Sequence, residues 1–304
     1  MRGDAGAAVD SPTERRNPET VDLDLLPTLD LVKRITAEDE RVIAAVAEAT
    51  QQIAAAVDLA VAAIRAGGRV HYVGAGTSGR LAVMDAAELR PTYGVGEEWF
   101  VAHQAGGSTA VERAVENAED DESLAESELG PLGEHDLVVG LTASGRTPYV
   151  GAALRHARAS GARTTLVTAN PRSPLQELVD VAIVCDTGPE VIAGSTRMKA
   201  GTAQKLVLNT FSTAVMVRLG RTWSNLMITM QAVNTKLRGR SVTMLEQASD
   251  RSPEECARAL AECDGELPTA LVCLLTDVEP GTARRALDAA DGVVRHAVEA
   301  LREG

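Results

Sequence analysis

Aromatic side chains are scarce in this sequence: two Trp, three Tyr and two Phe among 304 residues. The core must therefore be assembled from Ala, Val, Leu and Ile, which suits helices packed on a parallel sheet buried on both faces. Cysteine is scarce as well. Cys185, Cys256, Cys263 and Cys273 form no C-x-x-C pair and no disulfide framework in a chain this long, so a reducing, cytoplasmic setting is expected. His71, His103, His135, His156 and His296 stand apart from one another, none in a metal-ligand spacing, and no metal site is expected. No run approaches about 18 uninterrupted apolar residues, and residues 1–16 lack the apolar stretch of a signal peptide, which argues against membrane insertion and export. Positive charge is in deficit. The balance of 30 Lys and Arg against 43 Asp and Glu leaves a net charge of −13, which repels a phosphate backbone and disfavours nucleic-acid binding.

What is present has a clear order. At 45% hydrophobic and 24% charged residues the composition is that of a globular protein. Residues 1 to about 20 read as a flexible or partly extended arm. Ile35–Arg65 reads as one or two helices, with Thr36-Ala37-Glu38-Asp39-Glu40 as an acidic capping segment. From Gly67 onward, short apolar runs end in Gly/Ser/Thr loops, each followed by a helical segment. The runs are 70–73, 99–102, 137–141, 164–167 and 181–184, and they predict an α/β fold with a doubly wound, parallel five-stranded sheet. Ligands should bind at the carboxyl ends of its strands. A long apolar helix through Leu206, Phe211, Val215 and Val217 belongs in the core or a subunit interface. After Ser241 only helices are expected, opened by Ser252-Pro253-Glu254-Glu255 and by Glu279-Pro280-Gly281. The expected division is 1–55 for the arm and first helices, 56–240 for the sheet unit and 241–304 for a small helical domain.

Three loops carry anion-binding chemistry. Gly74-Ala75-Gly76-Thr77-Ser78-Gly79-Arg80 matches G-x-G-x-x-G, but the following strand ends in His103-Gln104-Ala105-Gly106-Gly107 without the acid that a dinucleotide ribose requires. It also lacks the Walker lysine. Gly76, Thr77 and Ser78 at a helix N-terminus suit a phosphate monoester instead. Thr142-Ala143-Ser144-Gly145-Arg146-Thr147-Pro148 repeats the Ser-Gly-Arg, presenting Ser144, Gly145, Arg146 and Thr147. The third loop, 194–202, adds Ser195, Arg197 and Lys199. Together they point to a phosphorylated small molecule. No acidic cluster suggests Mg²⁺, so phosphoryl transfer has no machinery. Candidate proton-transfer groups are Asp85 and Glu88 on the helix opened by the first loop, and Glu112, Glu116 and Glu119, which share one face if 109–120 is helical. Spacing alone does not choose among them.

The runs Gly74–Leu81, Asp85–Gly94, Ala143–Tyr149 and Ser195–Lys205 resemble the N-acetylmuramic acid 6-phosphate etherase family, and the likeness extends from Arg16-Asn17-Pro18 to the C-terminal helices. The resemblance implies a sugar isomerase (SIS) domain and replacement of the D-lactyl ether at C3 of a 6-phosphosugar by water. It places the catalytic pair at Glu88 and Glu119, needs no metal or redox cofactor, and implies a homodimer. Ala87 and Leu89 stand where the family often has Ser and Cys. The related glucokinase regulatory protein shares the Gly-Thr-Ser-Gly-Arg loop and binds a phosphosugar without catalysis, in a longer chain with two such domains. A phosphosugar isomerase and a phosphosugar-sensing regulator are the alternative functions. The chemistry also stands without the family. With the ring open, the C2 hydrogen is acidified by the C1 aldehyde and the C3 oxygen lies β to it. One carboxylate removing the C2 proton and one carboxyl protonating the departing oxygen complete an elimination, each typically contributing about 10²–10⁴-fold.

Overall fold

The computed structural model describes residues 11–229 and 235–303, which divide into two compact units. The first comprises residues up to 86 together with 98–212, and the second residues 87–97 together with those from 213 onward. The first ten residues of the expected arm lie outside the described residues. Its remainder is not extended but forms short 3₁₀ turns at Pro12–Glu14, Pro18–Thr20 and Leu23–Leu25. Hydrogen bonds strap it down: Gly194 N–H donates to the Thr13 carbonyl at 2.9 Å, and the Thr20 hydroxyl to the Val191 carbonyl at 2.8 Å.

Two helices follow, α1 (Thr28–Glu48) and α2 (Thr50–Arg65). The expected start at Thr36 is corrected: α1 begins eight residues earlier, after Pro27, and Glu38 is a buried interior residue, not a solvated first-turn acid. The strands are β1 (Val70–Gly74), β2 (Phe100–Gln104), β3 (Leu137–Leu141), β4 (Arg163–Thr168) and β5 (Val181–Val184). They form one parallel sheet in the order β2-β1-β3-β4-β5, as the five apolar runs imply. Between them run α3 (Gly76–Tyr93), α4 (Thr109–Glu112), α5 (Glu122–Leu129), α6 (Pro148–Ala159) and a 3₁₀ turn at Pro174–Leu178, and α7 (Lys199–Arg218) follows β5. Val73, Val138 and Leu166 join Tyr149, Val150 and Leu154 of α6 and Ala125 and Leu129 of α5 in one apolar cluster. Gly140 belongs to this close approach, since a Cβ there would stand 2.8 Å from Val150 Cγ1. Both phenylalanines meet Tyr72, with ring centroids 5.5–6.3 Å apart.

The second unit contains a two-stranded antiparallel hairpin the sequence pattern did not reveal, β6 (Thr222–Trp223) with β7 (Leu226–Met227). It continues with α8 (Thr235–Ser249), α9 (Pro253–Glu262), α10 (Leu267–Thr276), α11 (Pro280–Ala289) and α12 (Val294–Glu303). The expected openings of α9 and α11 are found, the former as a complete capping box between Ser252 and Glu255. Leu245, Leu260, Leu271, Ala283 and Val298 lie in its core. All four cysteines are free. Cys263 and Cys273 stand 3.9 Å apart, and burial pushes the Cys263 thiol up to about 12.

Candidate active site

β1 and β3 are neighbours, with Gly74 in register beside Leu141. In the order β2-β1-β3 the winding of the sheet reverses between these strands, and such a reversal opens a crevice at their carboxyl ends. The first two hydroxyl-rich loops both leave from this point. In the first, Gly76 takes a left-handed φ of 55° as α3 opens, Thr77 is half-buried, and buried Ser78 donates its hydroxyl to Gln204 Oε1 at 2.9 Å. In the second, the Thr142 hydroxyl is the hub. It lies 2.8 Å from Thr147 Oγ1 and 3.4 Å from Ser144 Oγ, and it accepts from Gly145 N–H at 3.2 Å. Gly145 has φ 70°, and a Cβ would sit 2.4 Å from Ser173 Cβ, so only glycine fits. Asn170 Nδ2 braces the loop from the end of β4 by donating to the Ser144 carbonyl at 2.8 Å. Ser144 and Thr147 are left half-buried and Arg146 exposed.

The third loop is built otherwise than its sequence suggests. Backbone N–H groups of Lys199 and Ala200, at the start of α7, both donate to the Glu190 carboxylate at 2.9 Å. A helix N-terminus attracts an anion, and here an internal carboxylate takes that position. Lys199 is corrected as a substrate contact. Its side chain has no exposed surface, and its Nζ donates to Glu38 Oε2 at 2.6 Å. Asn17 Nδ2 donates to the same oxygen at 2.8 Å. Burial pushes the Glu38 carboxyl up, but the bonds from Lys199 and Asn17 and the charges of Lys199 and Arg41 bring it below the usual range. Ser195 remains half-buried and Arg197 exposed.

The expected helix over 109–120 is also corrected. α4 stops at Glu112, Arg113 is extended and Asn117 adopts a left-handed φ of 62°. Arg80 supplies the reason: its guanidinium donates to the Val111 carbonyl at 2.8 Å and the Arg113 carbonyl at 3.2 Å, acceptors that a continuing helix would use itself. Glu112, Glu116 and Glu119 therefore share no helical face. The Glu119 carbonyl instead accepts from Tyr149 N–H at 3.0 Å, tying this loop to the start of α6 just after Thr147. A cavity of about 420 Å³ results, lined by Ala75, Gly76 and Arg80, by Gln104 at the end of β2, and by Glu116 and Glu119.

Glu88 is exposed and sits in the part of α3 that belongs to the second unit. It does not line that cavity. Upstream on α3, Asp85 is buried and accepts from Tyr72 Oη, Asn209 Nδ2 and Ser212 Oγ. Burial raises its carboxyl above the ordinary range, against the opposing pull of those three bonds and of Lys205. The roles of Glu38 and Glu190 could not be read from spacing, because each partner lies at a remote or loop position. Gln204 was visible only as part of the Ala203-Gln204-Lys205 run. Among the described residues, no group of three or more His, Cys, Asp or Glu could hold a metal ion.

Comparison with known proteins fits this geometry. Residues 52–158 match the glucokinase regulatory protein N-terminal SIS domain, and residues 110–214 match the SIS domain. A Listeria monocytogenes structure provisionally named a sugar-phosphate isomerase is similar in fold, with a TM-score of 0.50 and 16% identity, over 64% of this chain and 91% of that one. The chain is 60% identical to an N-acetylmuramic acid 6-phosphate etherase of Thermobifida fusca, over 88% of each chain. It is 44% identical to one of Photorhabdus laumondii, over 95% of this chain and 97% of that one. Likeness of that extent, spanning the loops at the β1/β3 reversal and the C-terminal helices together, makes this chain a member of the N-acetylmuramic acid 6-phosphate etherase family.

Proposed function

We propose that this protein cleaves the D-lactyl ether of N-acetylmuramic acid 6-phosphate with water, giving N-acetylglucosamine 6-phosphate and D-lactate in amino-sugar catabolism and cell-wall recycling. The observation that carries the reading is the 60% identity over 88% of both chains. Two hydroxyl-rich loops on adjacent strand ends support it as a phosphosugar site. In this reading the 6-phosphate is held by the Gly76 and Thr77 amides, Ser78, Ser144, Gly145 and Thr147, with Arg146 and Ser195 nearby. Gln204 bears on Ser78. Among the described residues its buried Nε2 has no partner, and turning the amide over would let Nε2 donate to Ser78 Oγ, freeing the hydroxyl proton for a phosphate oxygen.

The reaction starts from the open-chain aldehyde. The Glu119 carboxylate takes the C2 proton, the C2–H electrons form the C2=C3 bond, and the C3–O bond breaks as the Glu88 carboxyl delivers its proton to the lactyl oxygen. Water then adds at C3 and the proton returns to C2, so the net change is consumption of one water. The decisive experiment is turnover of N-acetylmuramic acid 6-phosphate in ¹⁸O-water. Label in the sugar hydroxyl with unlabelled lactate supports cleavage at C3–O, a ketose without lactate makes the protein an isomerase, and binding without turnover makes it a sensor.

Two coarser expectations belong to the same proposal. The protein works in the cytoplasm, where a charged sugar phosphate is retained, and it acts as a homodimer. Support for the dimer lies less in α7, whose Phe211 and Val215 are consumed by packing within the chain, than in exposed Leu25, Leu29 and Val32, spaced four and three residues apart. Sedimentation of a fully active monomer would remove it.

A further inference from the structure

The cavity beside Glu119 carries its charge unevenly. Among the residues that line it are three carboxylates, those of Glu116, Glu119 and Asp120, and one cation, Arg80. Such proximity commonly ends in an ion pair, yet among the described residues Arg80 makes none. Its bonds go to neutral acceptors of the same loop, from Nε to the Val111 carbonyl at 2.8 Å and from Nη2 to the Arg113 carbonyl at 3.2 Å.

Which atoms are used decides what is left. A guanidinium is planar and presents two forks, one along Nε and Nη2 and one end-on between Nη2 and Nη1. The carbonyls of residues 111 and 113 consume the first fork and fix the plane. The end-on fork keeps both hydrogens of Nη1 and the outer hydrogen of Nη2, the arrangement that meets the two oxygens of a carboxylate with parallel bonds. Because the side chain is held before any anion arrives, little of its rotamer freedom remains to be lost on binding.

The substrate of the proposed reaction carries two anionic groups, the 6-phosphate and the carboxylate of its lactyl ether, and the product sugar keeps only the first. The hydroxyl loops account for the phosphate. In a cavity otherwise lined by acids the second anion is repelled unless a cation meets it, and Arg80 is the lining residue that supplies one. We propose that the Nη1/Nη2 fork of Arg80 receives the lactyl carboxylate, making Arg80 the residue that distinguishes the ether substrate from its own sugar product. Product release follows from the same contact, since the sugar loses one of its two anchors once the lactyl group has left. The proposal rests on the reading of the protein as the lyase.

The test sets KM for N-acetylmuramic acid 6-phosphate against the competitive Ki of N-acetylglucosamine 6-phosphate, on folded protein checked by thermal melts. Arg80→Gln is expected to raise KM by about 10–10²-fold, the scale of a lost hydrogen bond to a charged group, and to leave Ki unchanged. A substrate whose lactyl carboxylate is replaced by the primary carboxamide should show a similar rise with the unsubstituted protein, and Arg80→Gln should lose the preference for the carboxylate. Should Arg80→Gln fail to fold, the carboxamide decides with the unsubstituted protein alone. KM and Ki rising together would place Arg80 on the phosphate or in a purely structural role and overturn the proposal, as would an unchanged KM. Lactate release that is equally efficient from carboxylate and carboxamide overturns it too, with the lyase reading intact. An unsubstituted protein that binds N-acetylglucosamine 6-phosphate but releases no lactate overturns the lyase reading and this proposal with it.

Discussion

The two units solve burial in opposite ways. Among the described residues, the helical unit buries two polar side chains, Ser241 and Thr269, beside a core of Leu, Ala, Val and Cys. The sheet unit buries Glu38, His71, Asp85, Glu190 and Lys199, along with the loop hydroxyls and amides. Desolvating such groups is unfavourable unless each is hydrogen-bonded, so a concentration of them in one unit marks where geometry, more than cohesion, is being specified. The Glu38–Lys199 pair joins α1 to α7, the Glu190 carboxylate holds the start of α7, and Asp85 holds α3. Each ends on a segment that leads into a proposed site residue. The contrast implies that substitutions in the sheet unit should move chemistry or fold specificity, while those among the C-terminal helices, from residue 213 onward, should move stability alone.

The largest effect should come from the catalytic pair. Glu88→Gln and Glu119→Gln are each expected to lower kcat for lactate release by about 10²–10⁴-fold, the usual contribution of a general acid or base. The two should differ in deuterium exchange at C2, which Glu88→Gln retains and Glu119→Gln loses. The reverse pattern exchanges their roles, and full activity in both would break the assignment at its centre.

Next in size is the buried ion pair. Glu38→Gln removes the carboxylate bonded to the Lys199 ammonium in a place with no solvent, and a loss of about 3–5 kcal/mol is expected in denaturant titration. Because the folded-state carboxyl lies below its ordinary value, the pair contributes stability above the unfolded carboxyl's titration range and loses it on acidification. Glu38→Gln should therefore flatten the acid limb of the stability profile. A change no larger than that of an exposed pair would show that this burial specifies nothing.

How much of this contrast was legible beforehand follows from the range of the interactions. The five strands announced themselves as apolar runs, and α9 was marked by Ser252-Pro253 with Glu255 three residues on, because both signals are local. The first two loops could be read for the same reason. Lys199 was misassigned because a cation beside Ser195 and Thr196 looks available until Glu38, 161 residues away in sequence, is found against it. The helix over 109–120 was misread because its periodicity is sound while the Arg80 guanidinium, some thirty residues upstream, claims its carbonyls. The hairpin β6–β7 pairs only Thr222 with Met227 and Trp223 with Leu226, too short to show alternation.

A smaller effect should appear as pH dependence. His71 Nδ1 lies 3.0 Å from His103 Nε2, and His103 Nδ1 lies 3.0 Å from the Glu128 carbonyl. Burial, then the neighbouring His103, pushes His71 down to about 4, with Asp136 opposing. A base depressed by folding takes up its proton more readily in the unfolded chain, so its stability contribution is complete above about pH 6.5 and is lost as pH falls toward 4. Across that interval the loss amounts to about 3 kcal/mol. His71→Gln should flatten the slope there, and an unchanged slope would assign the acid sensitivity elsewhere.

The smallest effect separates the units most cleanly. Ser252 caps α9, accepting from Glu255 N–H at 3.3 Å while the Glu255 carboxylate accepts from Ser252 N–H at 2.9 Å. Ser252→Ala removes one half of that reciprocal pair at the surface of the helical unit, where water replaces the lost partner in part. A loss of about 1 kcal/mol is expected, read as a melting shift of about 2–4 °C. The cap shares no residue with the hydroxyl loops or with Glu88 and Glu119, so lactate release and C2 exchange below the melting range should match the unsubstituted protein. A stability loss with kinetics intact sustains the division of labour between an apolar unit that contributes cohesion and a polar one that contributes geometry. A fall in kcat from so local a change would show that the C-terminal helices also take part in the chemistry, and the contrast in burial would then mark a difference in construction and not in function.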